Sequence, residues 1–201
     1  MGTSMKIKRR YVATLNWVAL LALLAVSNNH WGRDGFLPEV LFPTGIALIA
    51  VCVSGRLWVL VYHSGYKNKT LLTEGPYSLC RHPLYLCNLL GGVGVGLTTG
   101  TLTIPILSAL TYAPIFAVVA RDEERRLRER HGIEFDLYRA ATPMLLPSWS
   151  RFREPHEYSV RVRRIRARLA HAVWPLTGTA VVSVIQSLHV HHLLPGWLTL
   201  Y

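Results

Sequence analysis

The chain has 201 residues, enough for one domain; 51% of it is apolar, yet its formal net charge is +11. A soluble chain this basic would suggest nucleic acid, but its basic residues stand in blocks between long apolar runs, which points to membrane lipid and away from nucleic acid. Cys52, Cys80 and Cys87 are odd in number and lack CxxC spacing, so neither a disulfide framework nor a zinc site is indicated.

A membrane-spanning helix needs roughly 20 mostly apolar residues. The first such run is Tyr11 to Ser27, with Asn16 its strongly polar interior residue. Basic residues precede it, as in a signal peptide, but its length and the lack of a small-residue cleavage site predict a retained helix. Gly32, Gly35 and Pro38 then break the chain before a second helix, Glu39 to Tyr62, with Arg56 inside it. After a polar stretch come a third helix, Leu84 to Leu97, and a fourth, Leu102 to Ala120. Only Thr98-Thr99-Gly100-Thr101 separates them, which predicts a tight antiparallel hairpin, and Pro105 and Pro114 should kink the fourth helix. The highly charged residues 121–170 follow. A last apolar run, 172–194, should cross once more.

Five crossings put residues 1–10, 63–83 and 121–170 on one side, with 20 of the 22 Lys and Arg residues. The positive-inside rule makes that side, and the N-terminus, cytoplasmic. The expected fold is therefore an all-α integral membrane bundle: one multi-pass membrane domain over 1–201, a core over 40–147, a basic interfacial segment over 148–171 and a last span over 172–194.

Two polar segments flank the hairpin on its cytoplasmic side. One is Gly75-Pro76-Tyr77-Ser78-Leu79-Cys80-Arg81-His82-Pro83-Leu84-Tyr85; the other begins Arg121-Asp122-Glu123-Glu124 and runs through His131-Gly132 to Phe135, Tyr138 and Pro143 to Pro147. The hairpin brings them to the same face. Together they offer an acidic pair, an imidazole, a guanidinium and tyrosines at the membrane edge, where ionisable groups are costly unless paired or used. A carboxylate suits ammonium, ribose or sulfonium groups, and Tyr and His give flat faces for a purine.

This pairing, GPYSLCRHPLY followed about forty residues later by the Glu pair, then a Gly with Phe/Tyr neighbours and a closing Pro, resembles the isoprenylcysteine carboxyl methyltransferase and phospholipid methyltransferase superfamily. The resemblance covers about residues 40–147 and implies S-adenosylmethionine as methyl donor, leaving as S-adenosylhomocysteine. It implies that Lys69, Thr70, Leu71 and Leu72 line the cofactor and that Tyr77, His82, Pro83, Leu84 and Tyr85 form its main binding motif. It also makes Glu123 the acidic cofactor ligand. His82, Arg81 and Glu124 are the catalytic candidates; no metal is implied. Prenylcysteine carboxylate enzymes carry an Arg one turn before the first matched Glu, where this chain has Val119; Arg121 is on another helix face. An ionised carboxylate needs only a cation to hold it, whereas an amine or thiol benefits from a base such as His82 or Glu124.

Each feature also has a structural alternative. Arg81-His82-Pro83 suits a Pro-started helix at the interface, and Glu124 is spaced to pair with Arg128. Gly91 to Gly96 resembles a dinucleotide fingerprint but lies in an apolar helix, where close packing is the simpler role. Arg56 is read as structural, His189, His191 and His192 as a helix end, and 156–171 as a basic amphipathic segment on the anionic leaflet. The expected function is methyl transfer to a lipophilic small-molecule or lipidated acceptor in the membrane, isoprenylcysteine carboxyl methyltransferase-like. The alternatives are a phospholipid amine or thiol methyltransferase and, in another class, a non-catalytic membrane scaffold.

Overall fold

The computed structural model describes residues 2–30, 35–65, 70–194 and 196–201, with the side chains of 2–13, 29 and 65 outside the description. Lys69, expected to line the cofactor, lies outside the described residues. The order is α1 (Gly2–Ala25), β1 (Ser27–Asn29), α2 (Phe36–Gly65), α3 (Pro76–Leu79), α4 (Pro83–Leu97), α5 (Thr103–His131), α6 (Ile133–Ala141), α7 (Val162–Ala172), α8 (Trp174–Val190) and β2 (Leu198–Leu200). A short 3-10 turn covers Trp149–Arg151. The architecture is the expected all-α membrane bundle, with one short strand pair added.

Three stretches of 29 residues, Phe36–Ser64, Thr103–His131 and Val162–Val190, are long and apolar enough to cross a membrane. Thr14–Ala25 and Pro83–Leu97 are shorter apolar helices. Large apolar side chains point outward along them, including Leu15 (70% exposed), Leu110 (66%) and Val118 (63%). Water would penalise such a surface; hydrocarbon does not. The chain is an integral membrane protein.

The chain falls into two compact units. One comprises Met1–Ile49, Gly91–Ile115 and Pro175–Tyr201; the other Ala50–Leu90 and Phe116–Trp174. In the first unit the glycines of α4 receive neighbours that a side chain would displace. A Cβ on Gly94 would stand 2.9 Å from the Gly45 carbonyl oxygen, and one on Gly96 would stand 2.7 Å from Cα of Pro105. The glycine run therefore packs helices closely. The hairpin is as tight as expected: Gly100 takes φ +71° and its N–H donates to the Leu97 carbonyl at 3.0 Å. Pro105 falls in the first turn of α5, where its missing N–H has no helical partner to lose; Pro114 is interior.

The end of the chain also builds onto the first unit. β2 pairs in parallel with β1, Ser27 opposite Leu198. The N–H groups of Leu102 and Thr103 donate to the Tyr201 carbonyl oxygen at 2.8 Å, satisfying donors that the start of α5 leaves open.

In the second unit, α7 runs alongside the final turns of α2. Arg164 Nη1 donates to the Ser64 carbonyl at 3.5 Å, and Arg56 Nε donates to the Ala172 carbonyl at 3.1 Å. Arg56 also bonds the His171 carbonyl and Asn88 Oδ1. A guanidinium inside a spanning helix thus completes the C-terminal end of another helix, the structural role expected of it.

Candidate active site

The site lies within the second unit. Its first element is the segment from Thr70 to His82, which enters α4 through Pro83. Proline is favoured at a first helical position, and the His82 carbonyl accepts from the N–H groups of Tyr85 (3.1 Å) and Leu86 (3.2 Å). Gly75 turns the chain into α3 with φ +59°, and a Cβ there would strike the Tyr62 ring.

The second element is the charged end of α5. Successive helical residues project about 100° apart, so Glu123 and Glu124 serve different faces. Glu124 is buried, 7% exposed, and its Oε1 accepts from Arg81 Nε at 2.8 Å and lies 3.1 Å from His82 Nε2. Its Oε2 is 3.7 Å from Arg139 Nε. Arg81 Nη1 donates to the Arg139 carbonyl at 2.8 Å and the Thr142 carbonyl at 2.9 Å, closing the end of α6. One ion pair therefore ties the loop, α5 and α6 together. The alternative Glu124–Arg128 pair is not what forms: Arg128 Nε instead pairs with Asp136 at 3.1 Å.

Glu123 is exposed, and its Oε2 accepts from the Tyr85 hydroxyl at 2.7 Å. The His82 and Tyr85 rings stack at 5.4 Å and 27°, and Tyr85 stacks on Phe116 at 5.6 Å and 16°. Phe116 is a site residue that sequence reasoning missed. Its spacing of seven from Glu123 on α5 was the available signal.

A third element was read only in part, as the Pro143 to Pro147 end of the second polar segment. Residues 143–153 run back along the loop: the N–H groups of Arg81 and His82 donate to the Pro143 (2.9 Å) and Met144 (3.2 Å) carbonyls. Ser148 N–H donates to Leu79 (3.0 Å), and Gly75 N–H to Arg153 (2.7 Å). The Tyr62 hydroxyl then donates to Glu154 Oε1 at 2.9 Å, and the Tyr158 hydroxyl to the Tyr62 carbonyl at 2.6 Å.

Of the other expected site residues, Thr70 is exposed, Leu71 and Pro83 are buried, Leu72 and Tyr77 are half-buried, and Leu84 is 38% exposed. The Tyr77 carbonyl accepts from the Tyr138 hydroxyl at 2.7 Å. Burial pushes the Cys80 thiol up to about 11. It also raises the Tyr77 phenol, with help from Glu123, and the Tyr138 phenol, with help from Tyr77. All three therefore stay neutral near pH 7. The structure brings together Arg81, His82, Tyr85, Glu123 and Glu124, with Glu124 committed to the clamp and Glu123 accessible.

Comparison with known proteins bears on this geometry. Residues 43–133 match the family model for phospholipid methyltransferases. The chain is 38% identical to the nickel-cobalt-cadmium resistance protein NccN of Alcaligenes xylosoxydans xylosoxydans, over 84% of this chain and 78% of that one. It is also 38% identical to the cobalt-zinc-cadmium resistance protein CzcN of Cupriavidus metallidurans, over 85% of this chain and 78% of the relative. No solved structure matches.

Proposed function

The chain belongs to the phospholipid methyltransferase family, within the isoprenylcysteine carboxyl methyltransferase-like superfamily of integral membrane methyltransferases, and from that premise we propose that it transfers a methyl group from S-adenosylmethionine to a lipophilic, membrane-resident acceptor. The observation that carries the reading is the pairing of an accessible Glu123 with Tyr85, beside the stacked rings of His82, Tyr85 and Phe116. A carboxylate next to flat ring faces fits the ammonium, ribose and purine parts of that donor.

When bound, S-adenosylmethionine supplies an electrophilic methyl group on a sulfonium. Glu123 and Tyr85 would hold the polar end of the donor, beside the ring stack. Leu71, Leu72, Pro83 and Leu84 would line its apolar parts, with Thr70 and Tyr77 beside them. In-line displacement needs the reacting atoms aligned, so positioning supplies much of the rate. Arg81 and Glu124 act through the loop they fix. His82, whose Nε2–H faces the Glu124 carboxylate, would take the acceptor's proton on Nδ1. The positive-inside bias of the loops supports a cytoplasmic side for this site and the N-terminus.

Val119 stands where a carboxylate-holding Arg would be expected, which favours an amine or thiol acceptor over the prenylcysteine carboxylate. The relatives' names add a physiological reading: methylation of this acceptor serves resistance to nickel, cobalt, zinc or cadmium. Deleting the coding sequence and scoring growth on those cations tests that reading.

The experiment for the chemistry is calorimetric titration of S-adenosylhomocysteine into the detergent-solubilised chain, with Glu123→Gln as control. Micromolar binding that the variant weakens at least tenfold is expected. No binding to folded protein, in detergent or in lipid, would replace this reading with a non-catalytic scaffold.

A further inference from the structure

The first unit contains a cavity of about 970 Å³, which shares no residue with the candidate active site. The first turns of α2, the last turns of α8, the α4–α5 loop and the β1–β2 pair surround it. Its walls are apolar at Leu24, Phe42 and Val190. Phe42 and Val190 are each 47% exposed on helices otherwise dressed for lipid, so the cavity borders the hydrocarbon.

Its polar lining is biased toward accepting hydrogen bonds. The Ser27 hydroxyl donates to the Leu23 carbonyl. Thr98 and Thr99 donate to the carbonyls of Val95 (2.7 Å) and Gly96 (2.6 Å). With the Thr99 proton used, the 2.9 Å contact between the Thr99 and Thr101 hydroxyls has Thr101 as donor. Gln186 Nε2 donates to the carbonyls of Thr99 (2.9 Å) and Thr98 (3.4 Å). His189 Nε2 lies 3.2 Å from the Leu24 carbonyl, which can only accept, so that nitrogen carries the hydrogen. Asn28 Nδ2 spends one hydrogen on the Gly196 carbonyl at 3.4 Å. Among the described residues the side chains of the lining therefore have acceptors to offer and almost no donors.

Charge agrees with that bias. Glu39 lines the cavity, and no Lys or Arg lines it among the described residues, in a chain with 22 basic and 11 acidic residues. A head whose only charge is a phosphate or a carboxylate would meet acceptors and a like charge. A head that only donates and carries positive charge would meet complements.

We propose that this cavity binds a membrane amphiphile whose head is a protonated primary amine, with Glu39 as its counter-ion and the apolar wall taking its tail. An ammonium has three donors and no acceptor, which matches what the lining leaves unused. A carboxylate in the first turn of α2 is also favoured by the helix dipole alone, so the test must separate the two roles.

The full chain in phosphatidylcholine nanodiscs is titrated with dodecylammonium, dodecanol and dodecanoate, with empty discs subtracted. Saturable binding of dodecylammonium is expected, weakened at least tenfold in Glu39→Gln and kept within about threefold in Glu39→Asp. Dodecanol and dodecanoate should not saturate. Adding phosphatidylethanolamine to the discs identifies the source. Competition assigns the site to a bilayer lipid; Glu39-dependent binding without competition assigns it to a single-chain amine. Absent dodecylammonium binding, equal binding by Glu39→Gln, or equally tight dodecanoate would overturn the proposal. A lower melting temperature in Glu39→Gln with amine binding unchanged would leave Glu39 only its helix-end role and overturn it as well.

Discussion

Arg81→Ala should cost the chain more stability than any change at Glu123. The Arg81 side chain is 11% exposed and makes three bonds, to Glu124, the Arg139 carbonyl and the Thr142 carbonyl. Its loss leaves the Glu124 carboxylate, itself 9% exposed, with His82 at 3.1 Å and Arg139 at 3.7 Å. Removing one partner of a buried ion pair costs about 3–5 kcal/mol, because the other charge stays buried. For a chain of this size that corresponds to a melting temperature lower by roughly 6–20 °C. Glu123→Gln removes an exposed charge that accepts one bond from Tyr85, so its cost should stay within about 1 kcal/mol. The assay is thermal unfolding of the detergent-solubilised variants, followed by S-adenosylhomocysteine titration at a temperature where both are folded. Arg81→Ala should melt early, while Glu123→Gln should melt normally and bind poorly. If the two variants melt within about 2 °C of each other, the division of roles between the carboxylates is wrong.

Three further changes test other parts of the structure. Gly75→Ala forces a side chain onto a backbone at φ +59° and into the Tyr62 ring; strain and overpacking together should cost about 2–6 kcal/mol, seen as a lower melting temperature. Arg56→Met leaves the Ala172 and His171 carbonyls and Asn88 without their donor, and an unsatisfied buried group costs about 1–3 kcal/mol. Arg56→Lys should recover only part of that in a denaturant titration, since an ammonium lacks the planar fork. Cys80 has an ordinary value of 9.0, raised to about 11 in the folded chain. The unfolded thiol therefore ionises first as pH rises, and the stability from the buried neutral thiol is intact below pH 9 and lost between about 9 and 11. Unfolding measured across that window should show falling stability, and Cys80 should resist iodoacetamide at pH 8 until the chain unfolds.

Much of the helical frame was legible in the sequence because lipid imposes a strong rule: a long apolar run must become a helix. The hairpin at Thr98 to Thr101 followed from the spacing of two such runs, and the start of α4 at Pro83 from proline's fixed geometry. Proximity of the Arg81-His82 loop to the Glu pair followed from the hairpin alone. The partner of Glu124 did not. Spacing on one helix offers Arg128, but Arg81 arrives from a separate segment in a buried place where an unpaired carboxylate is costly. The return of residues 143–153 along the loop was not legible for a related reason. It contacts the loop through backbone groups, which every residue carries, so its side chains give no signal. The parallel pair of three-residue strands is too short for any alternation to register.

The adjacency of the two glutamates then acquires a physical reason. On the proposed function, a loop that holds a polar donor at the membrane edge needs a fixed position and an open charge. One carboxylate cannot supply both, since fixing the loop buries it against Arg81 and His82. Two consecutive residues on α5, about 100° apart, divide the work. Glu124 turns to the loop and Glu123 to Tyr85. Tyr85, in the first turn of α4, lies three residues beyond His82 at the end of the loop, so the residue that receives Glu123 stacks on the one that contacts Glu124. The two carboxylates are therefore coupled through two stacked rings at the start of α4. Displacing Glu124 should move the Tyr85 hydroxyl as well as the loop. A Glu124→Gln variant that still folds should accordingly lose donor affinity, although Glu124 itself lies buried behind the site.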